Sequence, residues 1–85
     1  MDFDADDLIE LYAAPSQLEA DRIVLLLGED GIEALARATT MTSFPTDGAW
    51  LVQVKGGDVA KAHRIITEAR REGAITDRGE FLQAL

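Results

Sequence analysis

The chain has 85 residues, sixteen acidic side chains against eight basic ones for a net charge of −8, one histidine and no cysteine. This length fits a single small domain. The missing cysteines exclude a disulfide framework, a thiolate zinc site and a thiol nucleophile, and the lone histidine excludes a multi-histidine metal centre.

The acidity is unevenly placed. Residues 1–33 hold ten carboxylates and one base, a net −9, whereas residues 34–85 carry a net +1. Four aspartates fall within residues 1–7, which predicts a solvated, disordered tail. Asp2, Asp4 and Asp6 alternate as in a calcium loop. The EF-hand pattern then needs a glycine and a glutamate where Asp7 and Ala13 stand, so the match fails.

Residues 8–13 read as a half-buried strand, with Ile9, Leu11 and Ala13 on one face and Leu8, Glu10 and Tyr12 on the other. Pro15 ends it. Ser16 and Glu19 form a capping box, and the helix that follows puts Ala20, Ile23, Val24 and Leu27 on one face. Gly31 closes that helix. Leu18 and Leu25 fall on its far side, with Arg22 between them.

Residues 32–38 alternate as a second strand. Residues 39–48 have turn residues and no periodicity, so they read as a long loop, which carries Met41 and Phe44. Residues 49–54 give a third strand with Trp50, Val52 and Val54 on one face. Asp58 is placed to cap a second helix, whose apolar stripe is Val59, Ala62, Ile65, Ile66 and Ala69. Lys61, Arg64, Glu68 and Arg71 take its opposite face, with Glu68 spaced to pair with both arginines, and Gly73 closes it. Residues 74–76 are expected as a short fourth strand and residues 77–85 as a helical extension carrying Phe81, Leu82 and Leu85.

The fold class predicted is α+β. It is a ferredoxin-like βαββα(β) sandwich over residues 8–76, with two helices on one face of an antiparallel sheet. The open sheet face then carries Tyr12, Leu35 and Leu51. Leu18 and Leu25 need cover, either from the terminal Phe81, Leu82 and Leu85 or from a second subunit.

The run Leu11-Tyr12-Ala13-Ala14-Pro15, then Glu19-Ala20, Leu26-Leu27, Gly31-Ile32-Glu33-Ala34, and Val52-Gln53-Val54 followed by Asp58, Ala62 and Ile65-Ile66, resembles a bacterial family of small prokaryotic signal-transducing proteins. Their function is not established, and their fold is like that of the nitrogen-regulatory signal protein PII. The resemblance covers about residues 9–70 and its motifs are structural. It implies a PII-like ferredoxin-like fold and supplies no catalytic residues. The cysteine-type zinc ribbon of some relatives does not transfer to a chain without cysteine. In PII a loop between the middle strands touches partners. Residues 39–48 hold that place here, shorter and without a tyrosine.

Other chemistry is thin. Lys55, Gly56 and Gly57 precede a helix, as in phosphate sites, but Asp58 puts a carboxylate where the phosphate belongs. His63 has no carboxylate at i±3 or i±4 and reads as a partly exposed helix residue. A net negative charge argues against nucleic acid as partner. The longest apolar run, residues 23–27, is far short of the ~20 residues that span a bilayer, and the acidic start is unlike a basic secretory n-region. The expectation is a cytoplasmic, non-enzymatic regulatory or protein-interaction module without a cofactor, acting as a homodimer or higher homo-oligomer or on a protein partner. Its surface would comprise Tyr12, Leu35, Leu51, Leu18, Leu25, Met41, Phe44, Lys61, Arg64 and Arg71. The alternative is a small-molecule sensor or enzyme with a site between subunits, near Lys55, His63 and the long loop.

Overall fold

The structure is a computed structural model and describes residues 4–38 and 49–83. In chain order it has β1 (Leu8–Ala14), α1 (Gln17–Glu29), β2 (Ala34–Ala38), β3 (Trp50–Lys55), a 3₁₀ turn (Gly56–Asp58), α2 (Val59–Glu72) and β4 (Glu80–Phe81). The four strands form one sheet in the order β2-β3-β1-β4. Every neighbouring pair is antiparallel. This is a small α+β architecture, consistent with the ferredoxin-like class. Residues 39–48, with Met41 and Phe44, lie outside the described residues, as does Leu85.

Strand β1 contains an irregularity that period-two reasoning misses. Glu10 pairs with Gln53 and Tyr12 with Val52, so Leu11 has no partner across β3. One extra residue on one strand is a β-bulge, and beyond it the alternation changes face. Ile9 and Val54 face the helices before the bulge, and Tyr12 and Val52 after it. Leu11, Tyr12 and Ala14 all join the main core with Ile23, Leu27, Val52 and Ile66. Simple alternation puts Tyr12 on the open face; it is instead 0% exposed.

Leu51 does face away from the helices, beside Arg37 and Ala13, but it is not open to solvent. It is 1% exposed and packs with Ala13, Ala49 and Leu82 in a second apolar cluster. Leu82 reaches it because the chain runs along the outer edge of β1. Leu82 N–H donates to Leu11 O at 2.8 Å, and Gln83 Nε2 to Glu10 O at 3.2 Å. The fourth strand is thus Glu80–Phe81, not residues 74–76, and the expected C-terminal helix is absent through Gln83. Ile75 serves as a buried core residue instead.

Helix α1 begins as its sequence requires, with Glu19 N–H donating to Ser16 Oγ at 3.2 Å. The reciprocal half of the capping box does not form. The Glu19 carboxylate, only 8% exposed, accepts from Thr76 N–H and, at 3.0 Å, from Thr76 Oγ1. It therefore fastens the α2–β4 connection to α1. The helix ends in a Schellman motif, with Ile32 N–H on Leu27 O at 3.0 Å and Gly31 N–H on Gly28 O at 3.0 Å. Gly31 has φ +79, a conformation other residues adopt at a cost of about 1–2 kcal/mol.

Helix α2 lies beside α1 and runs antiparallel to it. Two bonds fix this: Lys61 Nζ donates to Asp30 O at 3.2 Å, and Arg22 Nη1 to Ala74 O at 3.0 Å. Asp58 makes no side-chain capping bond. Residues 5 and 7 occupy this end of the molecule instead. Gly56 N–H donates to Asp7 O at 2.7 Å and Gly57 N–H to Ala5 O at 3.2 Å. Part of the segment expected to be a free tail is thus tied to the start of α2. Among the described residues no helix is long and apolar enough to cross a membrane.

Because Leu51 lies inside a cluster, Leu51→Glu should cost at least about 3 kcal/mol by burying an unpaired charge. Urea denaturation should show loss of folding rather than dissociation of an intact fold.

Candidate functional site

Three surfaces carry the functional candidates. The first is the outward face of α1. Leu18 is 72% and Leu25 70% exposed, the two most exposed large hydrophobic residues described. Phe81 and Leu82 do not cover them, since both pack along β1. Leu18 borders a groove of about 330 Å³ between α1 and the α2–β4 connection, where Arg22, Glu19 and Thr76 supply the polar wall.

The second surface is the β2 edge. Leu35 is 56% and Leu8 51% exposed. Both line a groove of about 420 Å³ with Val24 and Ile32, and the Lys55–Glu33 ion pair (3.7 Å) stands on its rim. Nearby, Arg37 and Glu10 pair at 3.1 Å across the open sheet face. Both partners are well exposed, so the pair contributes at most about 1 kcal/mol.

The third surface is the outward face of α2. Arg64, Glu68 and Arg71 are exposed there, and Lys61 is exposed while also bonding Asp30 O. Among the described residues Glu68 makes no ion pair with Arg64 or Arg71; the ion pairs present are Arg37–Glu10 and Lys55–Glu33.

The residues singled out for chemistry are engaged in contacts of the fold. The helix N-terminus near Lys55 cannot offer the amides of Gly56 and Gly57 to a phosphate, because both already donate to carbonyls of residues 7 and 5. His63 stacks on the Phe81 ring at 4.0 Å with an interplanar angle of 20°. Thr67 Oγ1 donates to His63 O at 2.8 Å. Among the described residues no group of three or more His, Cys, Asp or Glu side chains is placed to hold a metal ion.

The stacked histidine belongs to a cluster that sequence reasoning missed. Tyr12 meets Phe81 edge-on at 4.9 Å, and the Arg70 guanidinium lies 5.6 Å from the Phe81 centroid. Arg70 also donates to Asp77 O at 3.1 Å. The Tyr12 hydroxyl is buried without a hydrogen-bond partner. Gly79 lies directly over it, where a Cβ would collide with the hydroxyl. The glycine before Glu80 was the available signal, since a strand entry that must pass close to a ring excludes a side chain. Sequence alone did not bring Gly79 and Tyr12 together.

Burial pushes the Tyr12 hydroxyl above its ordinary pKa of 10.0. The Arg70 charge pulls it down, and Glu19 and Asp77 push it up further. The native state therefore holds this proton more tightly than the unfolded chain. The associated stability is fully present below about pH 10 and is lost as pH rises through the native pKa. Tyr12→Phe removes both the orphaned hydroxyl and the titration. At neutral pH it should be neutral or stabilising by up to about 1 kcal/mol. Urea midpoints measured above pH 10 should fall more steeply in the wild type than in the variant. Comparison of the chain with known protein families, with curated proteins and with solved structures finds no match.

Proposed function

We propose that this chain is a non-enzymatic interaction module that works as a homo-oligomer, with a ferredoxin-like fold of the PII-like kind. The observation that carries the reading is the placement of Leu8, Leu18, Leu25 and Leu35. Each is more than half exposed, and they fall in two patches, on α1 and at the β2 edge. Exposed leucines scattered singly are ordinary, but patches of them mark association surfaces. The polarised charge supports the same reading. An acidic front end and a near-neutral remainder with an arginine-bearing helix face favour contact between copies over uniform repulsion.

The interaction surface differs from the expected one. Tyr12 and Leu51 leave it, because both are core residues. Leu18, Leu25, Leu35, Lys61, Arg64 and Arg71 remain as candidates, and Leu8 joins them. A signal-transducing role, as in the family the sequence resembles, would use this surface for relaying contacts.

Light scattering should give a mass at least twice the 9.2 kDa of one chain. The double variant Leu18→Glu, Leu25→Glu should keep the wild-type circular dichroism, since both side chains already stand in water, and should weaken association by about 100-fold. A wild-type chain that stays at 9.2 kDa up to millimolar concentration contradicts the reading.

A further inference from the structure

The two helix faces that point away from the sheet carry matching rows. At 100° per residue, Leu18, Arg22, Leu25 and Glu29 share the outward side of α1. On α2 the outward side holds Lys61, Arg64, Glu68 and Arg71. All eight residues are exposed. Leu18 to Leu25 and Arg64 to Arg71 are each seven residues, about 10.5 Å of helix rise. Read in opposite chain directions, the rows align as Leu18 with Arg71, Arg22 with Glu68, Leu25 with Arg64 and Glu29 with Lys61. Each leucine meets an arginine, whose aliphatic stem covers apolar surface while its head stays in water. Each remaining charge meets its opposite.

We infer that this surface docks a second copy of the same chain, α1 of one protomer lying antiparallel on α2 of its partner. The inference rests on the homo-oligomer reading and specifies its interface. Within one chain α1 and α2 lie side by side and antiparallel, as the Lys61–Asp30 and Arg22–Ala74 bonds require. A two-fold axis running along the helices between the two layers then sets each α1 over a partner α2, and does so twice. The contact is isologous and closed, so it ends at a dimer. Intrachain bonds leave it available. Among the described residues Glu29, Arg64, Glu68 and Arg71 have no ion-pair partner within the chain. Arg22 uses one nitrogen on Ala74 O and keeps further donors for a carboxylate. Lys61 likewise has three donors and uses one on Asp30 O.

The arrangement makes an asymmetric demand that a generic sticky patch does not. Glu68→Arg sets two guanidinium groups against each other in both halves of the dimer, and Arg22→Glu sets two carboxylates against each other. Each variant alone should dimerise at least about tenfold more weakly than wild type. Mixed together, the two chains place opposite charges at one of the two equivalent contacts, and the partnered pair of original residues returns at the other. A heterodimer of near wild-type affinity should therefore form. Sedimentation equilibrium at low salt reads all three states, with circular dichroism as the check on folding. Wild-type dimerisation by Glu68→Arg, or two folded variants that fail to recover on mixing, overturns this interface while leaving the homo-oligomer reading standing. A monomeric wild type overturns both. Should Arg22→Glu unfold through loss of the Ala74 bond, Leu25→Asp together with Glu68→Arg decides the matter. Weakening by both supports the interface, and wild-type dimerisation by either overturns it.

Discussion

The placement of one residue, Leu11, outside the β1–β3 ladder organises the rest of this small protein. The bulge turns Leu11 and Tyr12 both toward the helices, so β1 contributes two large side chains in a row to the core. A regular strand would send Tyr12 to the open face and leave the helix side short of volume. In a chain of this size the helix-covered layer has few large residues to use, and a buried aromatic ring is a substantial part of it. The same turn of the chain aims the Tyr12 ring at Phe81. That contact gives the two-residue β4 something to hold beyond its two register pairs. The price is an unpartnered hydroxyl under Gly79.

The bulge also decides where apolar surface is left over. With Tyr12 inward and Leu51 covered by Leu82, the sheet loses the aromatic docking face that simple alternation implies. The exposed leucines then stand on α1 and at the β2 edge. Charge follows the same division. Glu10 is absorbed in a cross-sheet pair with Arg37, and the carbonyls of residues 5 and 7 bind the amides that open α2. Among the described residues the outward helix faces keep a set of alternating charges, flanking two leucines, that make no ion pair within the chain. That set of residues is what the proposal of association between copies rests on.

Much of this was legible in the sequence, for physical reasons that can be named. The apolar stripe of each helix has a 3.6-residue period, and Gly31 and Gly73 sit where left-handed closing residues belong. The Ser16 cap and the outward placement of Leu18 and Leu25 follow from local spacing alone. The failures have causes, some long-range and some local, that spacing along the chain does not carry. A bulge leaves no mark in a run whose residues are apolar on both sides of it. The capping box was half right because Glu19 found a better donor fifty-seven residues away, at Thr76. Strand β4 spans two residues, too few for any period, and its residues were absorbed into an expected helix. Asp58 has the residue type of a cap, yet the preceding 3₁₀ turn holds its backbone in a helical conformation and no capping bond forms.

The side taken by Tyr12 is the point on which the core, the seating of β4 and the open face all depend, and nuclear Overhauser contacts of its backbone and ring report it directly. Tyr12 should lie close to Val52 across the ladder, Leu11 should have no cross-strand partner, and the Tyr12 ring should show contacts to Phe81. A continuous register that pairs Leu11 with Val52 and Tyr12 with Leu51, with the ring protons remote from Phe81, would contradict it.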